Sequence, residues 1–277
     1  MALLCVATAA LVSAQTQSKG AAAPRLAGIA HVAIRVQNLQ ASRDFYRKLG
    51  YEEAFALNNK GGVPTEAFFK VNNRQFIELY PPHKAGEPIG FLHVCFESKD
   101  LNALHDAYVA RGLSPTAVRK AGAGNLLFTM RGPENQNIEY TEYMPGSKHT
   151  LDRGKHLGPD RIAESMVEVG IPMANVAAAD VFYKDQMSFV PLRRGFDRGE
   201  NAFRLPGSSV EEIEILPQAS QPKFHLVLGV AGVSAAAKQL SSRGIPYRHE
   251  GKTLVLHDPD GNVIVLVHAP EQKGAGQ

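Results

Sequence analysis

Residues 28–57 read "GIAHVAIRVQNLQASRDFYRKLGYEEAFAL". The first eight residues alternate, so a strand there turns Val32 and Ile34 to one face and His31, Ala33 and Arg35 to the other. Leu39, Phe45, Tyr46 and Leu49 then recur at helical spacing, Gly50 supplies a stop, and a second strand begins. "EAFFKV" (66–71) and "RQFIELY" (74–80) complete a βαβββ unit. In its closing strand Phe76, Glu78 and Tyr80 share one face, while Ile77 and Leu79 occupy the apolar one. A carboxylate thus points away from the greasy side of the same unit whose opening strand carries an imidazole.

The unit recurs. "GFLHVCFESKDLNALHDAYVARGLSPTAV" (90–118) and "NLLFTMRGPENQNIEYTEY" (125–143) form a second copy. "MVEVGIPMANVAAADVFYKDQMSFVPL" (166–192), "NAFRLPG" and "EEIEILP" form a third. "FHLVLGVAGVSAAAKQLSSRGIPY" (224–247) and "TLVLHDPDGNVIVLVHA" (253–269) form a fourth. Superposing Phe45-Tyr46 on Phe182-Tyr183 aligns the first helices of the two halves without a gap, which marks internal duplication. The Gly-, Pro- and charge-rich stretch between the halves reads as a linker. The expected class is α+β, with four βαβββ modules in two tandem domains: residues 26–143, a linker at 144–160, and residues 161–270.

Composition bounds the function. A chain of 277 residues, 44% hydrophobic and 21% charged, suits two ordinary cores. A net charge of +3 with no basic run interleaved with aromatics argues against nucleic acid as a partner. Residues 1–15 carry a short apolar segment ending in Val-Ser-Ala, which predicts a cleavable leader and export to a periplasmic or secreted location; without it the chain would be cytoplasmic. Removing the leader leaves Cys95 as the single cysteine, so no internal disulfide forms. No other apolar stretch approaches the roughly 20 residues of a membrane span. The expected partner is a small-molecule substrate, and the expected state a monomer or homodimer.

"HVAIRVQNLQASRDFYRKLGY", "FIELY", "IEYTE" and "DPDGNVIVL", in this order, resemble the vicinal oxygen chelate superfamily of glyoxalase I, bleomycin and fosfomycin resistance proteins, methylmalonyl-CoA epimerase and extradiol dioxygenases. The resemblance covers nearly all of the chain outside leader and tail. It implies paired modules curling their strands around a metal-holding cavity, with helices outside. His31 and His93 fall in opening strands, and Glu78 and Glu139 in closing strands, at repeat-equivalent positions. Their order resembles the ligand set of bacterial glyoxalase I, and two imidazoles with two carboxylates suit Ni²⁺, Zn²⁺, Mn²⁺, Fe²⁺ or Co²⁺. Pairing within the first half gathers all four, whereas pairing of the first module with the fourth would divide them.

Arg35, Tyr80, Cys95 and Thr141 should line the same cavity by strand alternation. His83, His105, His149, His156 and His249 read as surface residues. In the second half Glu168, Glu214, His225 and Val265 take the four equivalent places, and a valine there points to a degenerate site. The resemblance implies a Lewis-acid metal that stabilises an enediolate, with Glu139 or Glu78 shuttling the proton in a glyoxalase-type lyase or isomerase. Ring-cleaving dioxygenation through His31, His93 and Glu139 is an alternative, and so is a drug-binding resistance protein without catalysis.

Overall fold

The computed structural model describes residues 25–192, 201–208, 210–217 and 224–270; the expected leader lies outside them. The first half contains β1 (Gly28–Arg35), α1 (Leu39–Lys48), β2 (Glu52–Asn58), β3 (Pro64–Lys70), β4 (Phe76–Tyr80), β5 (Gly90–Glu97), α2 (Leu101–Ala110), β6 (Arg119–Lys120), β7 (Leu126–Arg131) and β8 (Asn137–Glu142). These eight strands form one sheet in the order β2-β3-β4-β1-β5-β8-β7-β6. The first two modules therefore pair with each other, as the undivided quartet of candidate ligands required.

A short helix, α3 (Lys148–Leu151), joins the halves. The second half comprises β9 (Ser165–Met173), α4 (Val176–Asp180), β10 (Val190–Leu192), β11 (Ala202–Arg204), β12 (Glu212–Pro217), β13 (His225–Val230), α5 (Val233–Ser242), β14 (Arg248–Glu250), β15 (Thr253–His257) and β16 (Val263–His268). Its sheet runs β10-β11-β12-β9-β13-β16-β15-β14, the first order with every strand advanced by eight.

In each half the central pair is antiparallel, β1 with β5 and β9 with β13, flanked by parallel neighbours. The helices cover one face. Tyr46 of α1 meets Phe69 of β3 at 5.7 Å between ring centroids, and Tyr108 of α2 meets Tyr140 of β8 at 5.3 Å. Asn38 and Asp100 start these helices by accepting backbone N–H groups of the first turn. The opposite face of the first sheet carries the polar set.

The duplicated helices differ by one residue. In the first half Tyr51 N–H donates to the Tyr46 carbonyl, whereas in the second half Phe189 N–H donates to the Tyr183 carbonyl, one residue farther. A π-helical turn at Val181–Gln186 absorbs the insertion. Tyr183 thereby keeps the fully buried place of Tyr46, with Phe182 edge-on to it as Phe45 is to Tyr46.

The main apolar cluster draws on both halves. Phe96 of the first contacts Phe189 of the second at 5.6 Å, and Phe91 contacts Phe224 at 5.4 Å. A polar knot closes another part of the interface. The Gln75 side-chain amide donates to the Met166 carbonyl (2.8 Å) and to Glu211 Oε1 (2.9 Å), and Gln75 Oε1 accepts from Met166 N–H (2.8 Å).

The segment after β8 does more than connect. Its residues fold back onto the polar face of the first sheet, where Lys70 Nζ meets Asp152 Oδ2 at 2.6 Å and the Asp152 carbonyl at 2.5 Å. Lys70 has no exposed surface. His149, expected at the surface, is instead 4% exposed, with Phe55, Phe68, Phe76 and Tyr143 around its ring. Nothing in the polar character of the segment foreshadows this, because the aromatic seat lies far away in sequence.

Candidate metal centre

Strand pairing converts the four candidate ligands into neighbours. His31 stands opposite Cys95, His93 opposite Ala33, Glu78 beside Ala33, and Glu139 beside Cys95. All point to the face away from the helices. His31 Nε2 and His93 Nε2 lie 3.2 Å apart, and Glu139 Oε2 is 3.3 Å from His93 Nε2 and 3.8 Å from His31 Nε2. Ligand bonds of about 2.1 Å around one ion put neighbouring donor atoms about 3.0 to 3.5 Å apart. The two imidazoles and Glu139 therefore have nearly the spacing that a shared cation requires.

Glu78 stands differently. Its Oε1 is 3.1 Å from Nδ1 of His31, the nitrogen turned away from the trio, and its Oε2 accepts from the Tyr80 hydroxyl at 3.0 Å. It stands beside the tight set, close to His31 Nδ1 without a hydrogen bond to it. The groups His31, Glu78 and His93, and His31, Cys95 and Glu139, each bring donor atoms within 4.8 Å of one another.

Burial governs the protonation of this cluster. Desolvation lowers His31 to about 3, and lowers His93 to about 4 against the opposing pull of Glu139. Both rings are neutral at pH 7, as metal ligation demands. Burial, followed by the charges of Glu139 and Glu66, pushes Glu78 well above the usual carboxylate range. A cation at the trio would relieve that repulsion. The donor set and its spacing fit a divalent transition metal.

A cavity of about 170 Å³ opens onto the cluster. His31, Glu78, Glu139, Tyr80 and Thr141 line it. Thr141 is fixed by donating to the Leu126 carbonyl. Leu57, Phe68 and Leu127 supply apolar wall, and Arg119 stands at the wall from β6. Cys95 is fully buried beneath the cluster, where burial raises its thiol well above the ordinary value and keeps it from acting as a thiolate. Arg35 shares the face but lies apart, with Nη1 donating to the Pro88 carbonyl at 3.1 Å and Nε 3.4 Å from Glu87.

Several lining residues escaped the sequence reading, Glu66, Arg119, Asn125 and His149 among them. Glu66 follows from alternation once β3 is placed, since Glu66 and Phe68 share a face. His149 had no such signal.

The second sheet repeats the register and changes the chemistry. His225 pairs with Gly170 as His93 pairs with Ala33, Glu214 also sits beside Gly170, and Val265 sits beside Val227 as Glu139 sits beside Cys95. Glu168 takes the place of His31, within reach of Glu212. Val167, Val227, Val255, Val265 and Val267 pack together. The apolar patch occupies the position that holds Glu139 in the first sheet.

Comparison with known proteins agrees with this geometry. Residues 28–140 match the Glyoxalase/Bleomycin resistance protein/Dioxygenase superfamily. No curated protein sequence matches the chain. Among solved structures, the chain is similar to the 2,3-dioxygenase LapB from Pseudomonas sp. KL28, with 17% identity, 92% of this chain and 98% of that chain covered, and a TM-score of 0.68. It is also similar to the Mn(II)-bound glyoxalase from Novosphingobium aromaticivorans, with 18% identity, 91% and 92% covered, and a TM-score of 0.64. A catechol 2,3-dioxygenase gives 15% identity, 90% and 91% covered, and a TM-score of 0.64. The family match thus covers the first domain, and the same strand order repeated in the second gives the chain two tandem domains of one fold.

Proposed function

We propose that the first domain is a metal-dependent lyase or isomerase of the glyoxalase type, acting on a small substrate with two neighbouring oxygens. His31, His93 and Glu139 would hold the ion. Bound there, the metal supplies a Lewis acid that draws electron density from the substrate oxygens and acidifies the adjacent C–H. Glu78 takes that proton and returns it to the neighbouring carbon. The observation that carries this reading is the position of Glu78 beside the tight trio, held by the Tyr80 hydroxyl and 3.1 Å from His31 Nδ1. A carboxylate beside the ion keeps a lone pair for proton transfer. The cavity volume of about 170 Å³ restricts the substrate to small molecules.

A second reading, ring-cleaving dioxygenation, draws support from the trio itself, because two histidines and one carboxylate suit Fe²⁺ with open positions. Reconstitution with Mn²⁺, Ni²⁺ or Fe²⁺ followed by assay separates the two. Turnover of a methylglyoxal hemithioacetal, lost in Glu78→Gln with metal retained, is expected. Ring cleavage of catechol by the Fe²⁺ form alone would instead establish the second reading. Absence of bound metal, with unchanged melting on adding Ni²⁺ or Mn²⁺, would leave a binding protein.

A further inference from the structure

Arg119 lines the first-domain cavity from β6, the edge strand of its sheet. Register sets its place. Arg119 pairs with Leu127 and Lys120 with Leu126, and cross-strand partners share a face. Leu127 lines the cavity, whereas Leu126 packs against the main apolar core, so Arg119 takes the cavity face and Lys120 the other. The backbone on either side is pinned to β7. Thr116 N–H donates to the Thr129 carbonyl at 2.9 Å, and Ala121 N–H to the Asn125 carbonyl at 2.8 Å. The turn that follows is tied to α3, where Lys148 N–H donates to the Ala123 carbonyl at 2.9 Å.

Among the described residues lining this cavity Arg119 is the single Lys or Arg, against the carboxylates of Glu66, Glu78 and Glu139. Its side chain is exposed, so a ligand can reach it, and among the described residues it makes no hydrogen bond or ion pair. Other arginines are engaged: Arg35, Arg43, Arg74 and Arg204 each hold a carboxylate within 3.4 Å. The second sheet serves as an internal control. Thr253 stands two residues before the partner of Val265, as Leu127 stands two before the partner of Glu139. Glu250 pairs with Thr253 there as Arg119 pairs with Leu127, so the charge at this place is reversed, and Glu250 is taken up by Arg248 at 3.1 Å. The unengaged guanidinium thus accompanies the sheet that keeps the trio of donors. A guanidinium offers two parallel N–H groups that match the two oxygens of a carboxylate.

We propose that Arg119 is a specificity-determining residue that selects substrates carrying a carboxylate at the end remote from the metal-binding oxygens. Its guanidinium pairs with that carboxylate at the cavity wall, while two neighbouring oxygens at the other end of the molecule reach the trio. A cavity of about 170 Å³ leaves room for only a short chain between the two ends. The substrate class is a small carboxylate with a vicinal pair of oxygens as its head. This assignment rests on the proposed metal reading for the head alone, and not for the carboxylate.

The test uses the full chain loaded with Mn²⁺ and a set of hydroxamates, each with a pair of oxygens for the ion and a tail of equal length that ends differently. Butyrohydroxamate ends in a methyl group, succinic monohydroxamate in a carboxylate and β-alanine hydroxamate in an ammonium. By calorimetry the parent should bind the carboxylate probe about tenfold or more tighter than the methyl probe. Arg119→Gln should bring these affinities within about twofold of each other, and Arg119→Lys, which keeps the charge without the fork, should recover part of the preference. Arg119→Glu should invert the order in favour of the ammonium probe, a change that loss of packing alone would not produce. Equal affinity for the carboxylate and methyl probes in the parent, or an undiminished carboxylate preference in Arg119→Gln, would overturn the proposal. A parent that binds no Mn²⁺ would overturn the metal reading alone. The same comparison in the metal-free chain would then support Arg119 if the carboxylate preference is present and lost in Arg119→Gln, and overturn it if no preference is seen.

Discussion

At the scale of single residues the site is a division of labour among four polar side chains on one sheet face. His31, His93 and Glu139 have the spacing of donors around one ion, and Glu78 faces the far nitrogen of His31. Glu78→Gln should therefore retain Mn²⁺ within about tenfold, since it changes a neighbour of the trio rather than one of its donors. Under the proposed function, with Glu78 as the base, turnover should fall by about a hundredfold or more; calorimetry and steady-state rates check the two parts. The four positions were legible in the sequence because strand alternation fixes a face and the repeat equates positions across modules. Glu66 and His149 were not. Glu66 needed the placement of β3, and His149 needed a long-range aromatic seat that no local period encodes.

Among elements, the segment around α3 shows how an apparent linker becomes part of a site. Asp152 neutralises the buried Lys70 and is itself 2.5 Å from His156 Nδ1. Asp152→Ala leaves an uncompensated buried ammonium and should cost about 3 to 5 kcal/mol in denaturant unfolding, whereas joint replacement by Lys70→Met and Asp152→Leu should cost much less. An equal loss in both proteins would show that packing, not charge pairing, holds the segment. The βαβββ units themselves were readable because apolar spacing, Asn and Asp caps and glycine stops agree locally. The π-helical turn was not, since its one-residue insertion falls after the Phe-Tyr pair and leaves that alignment intact.

For the whole molecule, two sheets of identical strand order share a core but not a chemistry. The interface contains a titratable contact, Glu211 against Gln75, and burial pushes the Glu211 carboxyl up to about 7 despite the opposing influence of Arg74. A carboxyl raised from an ordinary value near 4.5 binds its proton more tightly when folded. Its contribution to stability is thus full below about pH 4.5 and is lost as pH rises through about 7. Glu211→Gln should flatten the fall in stability across that window, and unchanged curves would show that the contact does not titrate there. The tandem architecture was evident from the fourfold repeat, and the valine at 265 already distinguished the second half. The central claim is one metal site, in the first domain. It is tested most directly by the Mn²⁺ stoichiometry of the parent chain and of His93→Ala. The account predicts one equivalent per chain, with affinity reduced about a hundredfold or more in the variant; no bound metal in the parent, or equal binding in both proteins, would contradict it.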